Sequence, residues 1–176
     1  MLDRVYLDAP LVRANIVQGR CGQFVDESGS SRGISNALDL ERLLALRALS
    51  DVVVTDGETA RKEQYRVPRV ADLAVITRDG YTPRESDSTH NYVELREKPV
   101  DAIRSLIDSG YKGILLEVGP NLLRSMVLAG LVDQICMTNT GGSTADLSNL
   151  GVRLANQSLV ERDGDTTFTV WSEIQA

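Results

Sequence analysis

The 176-residue sequence predicts an α/β fold in three layers: a mixed, mainly parallel central sheet with helices on both faces and an antiparallel C-terminal edge. Short apolar runs alternate with stretches of helical periodicity along the chain. Residues 114–116, Ile-Leu-Leu, are apolar without interruption, as in a parallel strand covered on both faces. Residues 166–171, by contrast, alternate in the manner of a half-exposed antiparallel strand.

The elements follow in order. Residues 11–17 form a first strand, and a polar Gly/Ser loop occupies residues 19–33. Ser35 or Asn36 caps a helix in which Leu38, Leu40, Leu43, Leu44, Leu46 and Leu49 have the spacing of one buried face. Residues 51–55 are the second strand, 57–63 a short helix or turn, and 72–77 a buried strand that ends at Arg78-Asp-Gly80. A short strand at 92–95 precedes an amphipathic helix marked by Val100, Ile103, Leu106 and Ile107 and closed by Gly110. The strand at 114–116 runs through Glu117-Val-Gly-Pro120 into another helix, with Pro120 suited to the first helical position. Residues 135–138 and 166–171 complete the sheet, and Glu161-Arg-Asp-Gly-Asp165 reads as a charged hairpin turn.

Composition narrows the function without choosing it. The chain has the length and apolar content of a single domain spanning residues 1–176. A formal charge of −6 argues against general nucleic-acid binding, so any anion site is local. Cys21 and Cys136 make neither a disulfide framework nor a metal-ligand spacing, which fits a reducing cytoplasm and no metal. Asp3, Arg4 and Asp8 interrupt the N-terminal apolar residues, and no run reaches membrane-spanning length, so neither a signal peptide nor a membrane partner is expected. His90 lies in the polar stretch Arg84-Glu-Ser-Asp-Ser-Thr-His-Asn91, as a solvated loop residue does; a His-dependent triad would rest on it alone.

Three strand ends carry chemically suggestive residues: Thr55-Asp-Gly-Glu-Thr59, Thr77-Arg78 and Glu117-Val-Gly-Pro120. In an open sheet such ends converge on one crevice, and together they point to a nucleotide. Gly57 and Thr59 have amides and a hydroxyl for phosphate, and Arg78 has a charged fork for a ribose phosphate. A helix cap is the alternative for Thr59, and a solvated turn the alternative for Arg78. Glu117, a carboxylate closing an apolar strand, marks a polar site or a buried partner. No Gly-x-Gly-x-x-Gly follows any of the strands, so a dinucleotide needs a fold other than the Rossmann type.

From about Val12 to Trp171 the chain resembles the reductase domain of bacterial riboflavin biosynthesis, a family with the dihydrofolate reductase-like fold. The likeness rests on motifs in order: Asn15-Ile-Val-Gln-Gly-Arg-Cys-Gly22, Ser31-Arg-Gly-Ile-Ser35, Leu46-Arg-Ala48 with Asp51, Gly57-Glu-Thr59, Thr77-Arg78, Glu117-Val-Gly-Pro120 and Ala129-Gly-Leu-Val-Asp133. It implies NADPH-dependent reduction of a ribosylamino-pyrimidine phosphate to the ribitylamino product. By position it places Ser31, Arg47 and Glu117 at the substrate, and Val17, Gly33, Thr59, Glu63, Gly119, Pro120, Asn121 and Leu122 at the cofactor. Thr77 and Arg78 fall at the adenosine-phosphate end, where Arg78 favours NADPH over NADH. A homodimer is likewise implied by the resemblance. No zinc deaminase motif is present, so a preceding deamination falls to another protein.

The departures are specific. The family's early loop commonly reads Ser-Leu-Asp-Gly-Lys, and here it is Gly19-Arg-Cys-Gly-Gln23, without the carboxylate. Gly33 stands where Trp is common, Val118 replaces a small residue, and Glu58 adds negative charge near the pyrophosphate position. These changes leave open two other readings: a non-catalytic homologue of the same fold, or a reductase acting on a pterin or another small heterocycle.

Overall fold

A computed structural model describes residues 11–142, 147 and 153–175; the N-terminal residues read above as interrupted by charge lie outside them. The strands are β1 (Leu11–Gln18), β2 (Val52–Asp56), β3 (Asp72–Ile76), β4 (Tyr92–Leu95), β5 (Gly113–Leu116), β6 (Gln134–Asn139), β7 (Arg153–Asp163) and β8 (Thr166–Gln175). The helices are α1 (Ala37–Ala48), α2 (Gly57–Glu63), α3 (Pro99–Asp108) and α4 (Pro120–Leu128). The sheet order is β4-β3-β2-β5-β1-β6-β8-β7. Strands β1 to β6 are parallel, and β8 and β7 add antiparallel pairs at one end.

Uninterrupted apolar strands dictate this layering. Val52, Val53 and Val54 are all fully buried, so β2 needs cover on both faces. One face packs against Ala102, Ile103 and Leu106 of α3 and Leu123, Met126 and Val127 of α4. The other meets Leu46 of α1 and Ala60 of α2. Leu46 has no exposed surface, and its burial is worth about 1.5–3 kcal/mol.

The element boundaries have local causes. Asn36, not Ser35, caps α1, its side chain accepting from the Asp39 amide at 2.9 Å. Helix α3 stops where Gly110 takes φ +97°, a conformation glycine adopts without steric cost. The turn expected at 161–165 is narrower: Glu161, Arg162 and Asp163 still pair with β8, and only Gly164, at φ +56°, and Asp165 join the two strands.

Two expectations change. Leucines of α1 do not all face the core: Leu40 and Leu44 are 52% and 53% exposed, because α1 crosses the sheet beside an open cleft. Strand β7 was not anticipated, since its mixed polar sequence lies at the sheet edge and a register shift between Gln157 and Leu159 breaks the alternation. No helix among the described residues is long and apolar enough to cross a membrane.

The two thiols differ. Cys136 is buried in β6, and burial pushes its thiol up to about 11, whereas Cys21 is exposed. Alkylation of the folded protein is therefore expected to label Cys21 alone, with Cys136 reacting only after unfolding. Mass spectrometry of the native, treated protein checks this, and rapid double labelling would contradict it.

Candidate active site

The chain order leaves β5 between β2 and β1, so three carboxyl ends from distant parts of the sequence lie side by side. Hydrogen bonds fix them. The Glu117 amide donates to Val54 O at 2.8 Å, and Thr55 Oγ1 donates to Glu117 O at 2.7 Å. A cleft of about 1590 Å³ opens over these ends. Single-ligand sites run to roughly 300–1,000 Å³, so this one has room for a dinucleotide and a second molecule.

Thr59, Arg78 and Gly119 all line it, as the convergence of strand ends requires. So do Val17, Ser31, Arg47, Glu63, Thr77, Glu117, Pro120, Asn121 and Leu122. Gly33 and Gly57 do not. A Cβ at Gly33 would sit 2.2 Å from Asp26 Oδ2, and one at Gly57 would sit 2.6 Å from Thr77 Oγ1, so both glycines serve close packing within the protein.

At one end of the cleft stands a closed polar unit. Arg47 holds Glu117 through two bonds, Nε to Oε1 at 2.8 Å and Nη2 to Oε2 at 2.6 Å, and Tyr65 donates its hydroxyl to Oε2 at 2.5 Å. The side chains of Arg47 and Glu117 are 20% and 5% exposed. Burial opposes the Arg47 charge, but the Glu117 carboxylate outweighs it and holds the guanidinium above its ordinary range. Burial, then Glu117, pushes the Tyr65 hydroxyl well above its ordinary value, so it remains a neutral donor. In this state Glu117 accepts from protein groups, and the two Arg47 donors that a phosphate would take in parallel are occupied. Glu63 is committed too: it accepts from Ser30 and from the amide and hydroxyl of Ser31, and pairs with Arg32, anchoring the long loop to α2.

The other end is built differently. Asp56, not Thr59, caps α2, and it takes both the amide and the hydroxyl of Thr59, at 2.9 and 2.7 Å, so these two donors are occupied. Glu58 is exposed and paired with Lys62. Helix α4 is uncapped by any side chain. Its N-cap Gly119 has an ordinary φ of −64°, and a Cβ there would meet nothing within 4 Å. Val118 adopts no left-handed conformation and is buried in the core, so its β-branch strains nothing. Arg78 is exposed and makes no hydrogen bond or ion pair among the described residues. Lys98, the N-cap residue of α3, lines the same end.

Sequence reasoning missed Asp39, Tyr65 and Lys98, all of which line the cleft. Asp39 left a trace: it falls on the stripe of Leu43 and Leu46 at helical spacing, an acid on an otherwise apolar face. Tyr65 left none, because its position depends on Gln64, which ends α2 at φ 52°.

No family model and no curated protein matches the sequence. By shape the chain is similar to a pyrimidine reductase-like protein from Corynebacterium diphtheriae, with a TM-score of 0.72 and 19% identity over 93% of this chain and 91% of that one. It is similar also to the diaminohydroxyphosphoribosylaminopyrimidine deaminase/5-amino-6-(5-phosphoribosylamino)uracil reductase of Thermotoga maritima, with a TM-score of 0.64 and 14% identity over 93% of this chain and 56% of that one. The chain thus spans little more than half of that protein. A dihydrofolate reductase from Enterococcus faecalis complexed with NADP(H) follows, with a TM-score of 0.56 and 12% identity over 92% and 95%. At such identities the likeness is one of fold: the chain has the dihydrofolate reductase-like architecture.

Proposed function

We propose that the chain is an NADPH-dependent reductase of a phosphorylated ribosylamino-pyrimidine, acting in the cytoplasm as a homodimer. The observation that carries the reading is the cleft itself, which Thr59 of α2, Arg78 after β3 and Gly119 after β5 line together with the uncapped start of α4. The residues present fit the cofactor. The amides at Asn121 and Leu122 and the positive end of α4 suit a pyrophosphate, and Arg78 with Lys98 suits an adenosine phosphate. The solved structures of this shape include reductases described as acting in pyrimidine and folate chemistry, and one holds NADP(H).

When bound, NADPH supplies the hydride that reduces the imine carbon of the ring-opened ribosylamino group, the nitrogen taking a proton. The protein positions the two partners. Val17 at the end of β1 lines the same cleft, and the Arg47-Glu117-Tyr65 unit gives it a fixed polar group. Substrate phosphate draws on Arg47, which trades part of its bond to Glu117, and on the neighbouring basic residues of the loop after α2. A second reading, reduction of an unphosphorylated heterocycle, is favoured by that same closed Arg47-Glu117 pair.

Fluorescence titration with NADPH tests the cofactor, and absence of saturable binding removes both readings. NADPH oxidation in the presence of the pyrimidine phosphate, or of a dihydropterin, then separates them, while binding without turnover identifies a non-catalytic relative. Gly119→Ala sharpens the first test. The backbone there accepts a methyl group without strain or contact, so the fold is expected to persist. NADPH affinity is expected to fall roughly tenfold, about 1.4 kcal/mol, because the methyl obstructs approach to the α4 amides. Unchanged affinity would place the pyrophosphate elsewhere.

A further inference from the structure

The Arg47-Glu117 pair is closed, yet it carries one donor more than closure needs. Glu117 Oε1 accepts from Arg47 Nε, whereas Oε2 accepts twice, from Arg47 Nη2 at 2.6 Å and from the Tyr65 hydroxyl at 2.5 Å. A carboxylate oxygen has room for two donors, so both fit. The surplus bears on exchange. When Arg47 Nη2 turns to another oxygen, Nε still holds Oε1 and Tyr65 still holds Oε2, so neither oxygen of the buried carboxylate is stripped of its donor. Without the hydroxyl, the same turn would forfeit the full desolvation penalty of a buried charged acceptor. Arg47 is the more accessible of the two, its side chain 20% exposed against 5% for Glu117, and both line the cleft.

Tyr65 is held in place from several sides. Its amide donates to Ala60 O at 3.0 Å, closing α2, and its carbonyl accepts from the Arg84 amide at 3.1 Å and from the Tyr81 hydroxyl at 2.8 Å. Tyr92 of β4 donates its hydroxyl to Tyr81 O at 2.7 Å, so a run of tyrosines leads from the edge of the sheet to Glu117. The ring faces the cleft and lies against the guanidinium, 5.4 Å from Arg47 Cζ to its centroid. Because burial keeps the hydroxyl protonated, it is a donor at every pH at which the protein is folded and working. A rigid donor on the acceptor and a rigid ring on the cation leave the guanidinium as the part of the unit that can turn.

We propose that Tyr65 is a positioning residue for substrate binding: by keeping its hydroxyl on Glu117 Oε2 and its ring on the guanidinium, it lets Arg47 Nη2 turn to an oxygen of the substrate without leaving Glu117 unsatisfied. The proposal rests on the reductase reading above and deepens it. The oxygen belongs to a phosphate or to a ring carbonyl, and the test separates these sources.

Calorimetric titrations of the full chain, with and without saturating NADP⁺, use ribosylaminouracil phosphate and its dephosphorylated form as separate probes. At least one is expected to bind the wild type. Tyr65→Phe keeps the ring and removes the hydroxyl, and is expected to weaken that probe roughly tenfold. The ligand-free pair keeps both bonds between Arg47 and Glu117, so the melting temperature is expected to change little and NADP⁺ affinity to persist. A merely structural role would give the opposite split, a lower melting temperature with the affinity of the folded protein unchanged. Tyr81→Phe, which lies outside the cleft and removes only the bond to Tyr65 O, is expected to weaken the same probe roughly two- to threefold. A loss for both probes assigns the oxygen to the ring, and a loss for the phosphorylated probe alone assigns it to the phosphate. Probe affinity that is equal or higher in Tyr65→Phe, or no binding of either probe to the wild type, overturns the proposal. Failure of the reductase reading looks different: NADP⁺ does not bind, while a probe binds and still responds to Tyr65→Phe.

Discussion

Replacing Glu117 with Ala is expected to destabilise the protein by about 3–5 kcal/mol, the usual consequence of removing one partner of a buried ion pair. The substitution leaves the Arg47 guanidinium, whose side chain is 20% exposed, without the two bonds that offset its burial, and leaves the Tyr65 hydroxyl without its acceptor. For a domain of this size the melting temperature is expected to drop by roughly 6–20 °C. Replacing both partners, Arg47→Met with Glu117→Met, is expected to restore much of the loss, because no uncompensated charge remains. Thermal unfolding of the two single variants and the double variant measures the coupling directly. Independent, additive effects would show that the pair does not act as a unit and that Glu117 is free to serve substrate alone.

The second large effect is on ligand choice. Arg78→Gln is expected to weaken NADPH binding by roughly 10–100-fold, equivalent to about 1.4–2.7 kcal/mol, while NADH binding changes little. Arg78 is exposed and unpaired among the described residues, so the same change is expected to alter stability by no more than about 0.5 kcal/mol. The contrast between cofactors is the measurement that matters, made at low and at high salt, since screening shrinks an exposed charge contribution. A parallel loss for NADPH and NADH would assign Arg78 to a part of the site common to both.

Much of the fold was legible in residues that behave the same way wherever they occur. Consecutive valines in β2 demand cover on two faces, Gly110 ends α3 because it accepts a positive φ, and Pro120 starts α4 because it needs no amide donor. Strand β7 escaped because an edge strand satisfies only one neighbour and carries no demanding pattern. The leucines of α1 misled in an instructive way. Their spacing identified the helix, but the same spacing does not say which leucines meet the sheet and which meet an open cleft.

The sequence alone determined that a parallel sheet would bring polar strand ends to one edge, and it named Thr59, Arg78 and Glu117 among the residues there, because strand polarity follows from the run of apolar segments; Arg47 came from the family resemblance. Tertiary structure decided which of those groups already hold one another. Thr59 is spent on Asp56, Glu117 on Arg47 and Tyr65, and Glu63 on the long loop, whereas Arg78 and one oxygen of Asp39 are not. Hydrogen bonds act over about 3 Å between residues far apart in the chain, and no one-dimensional pattern records that proximity.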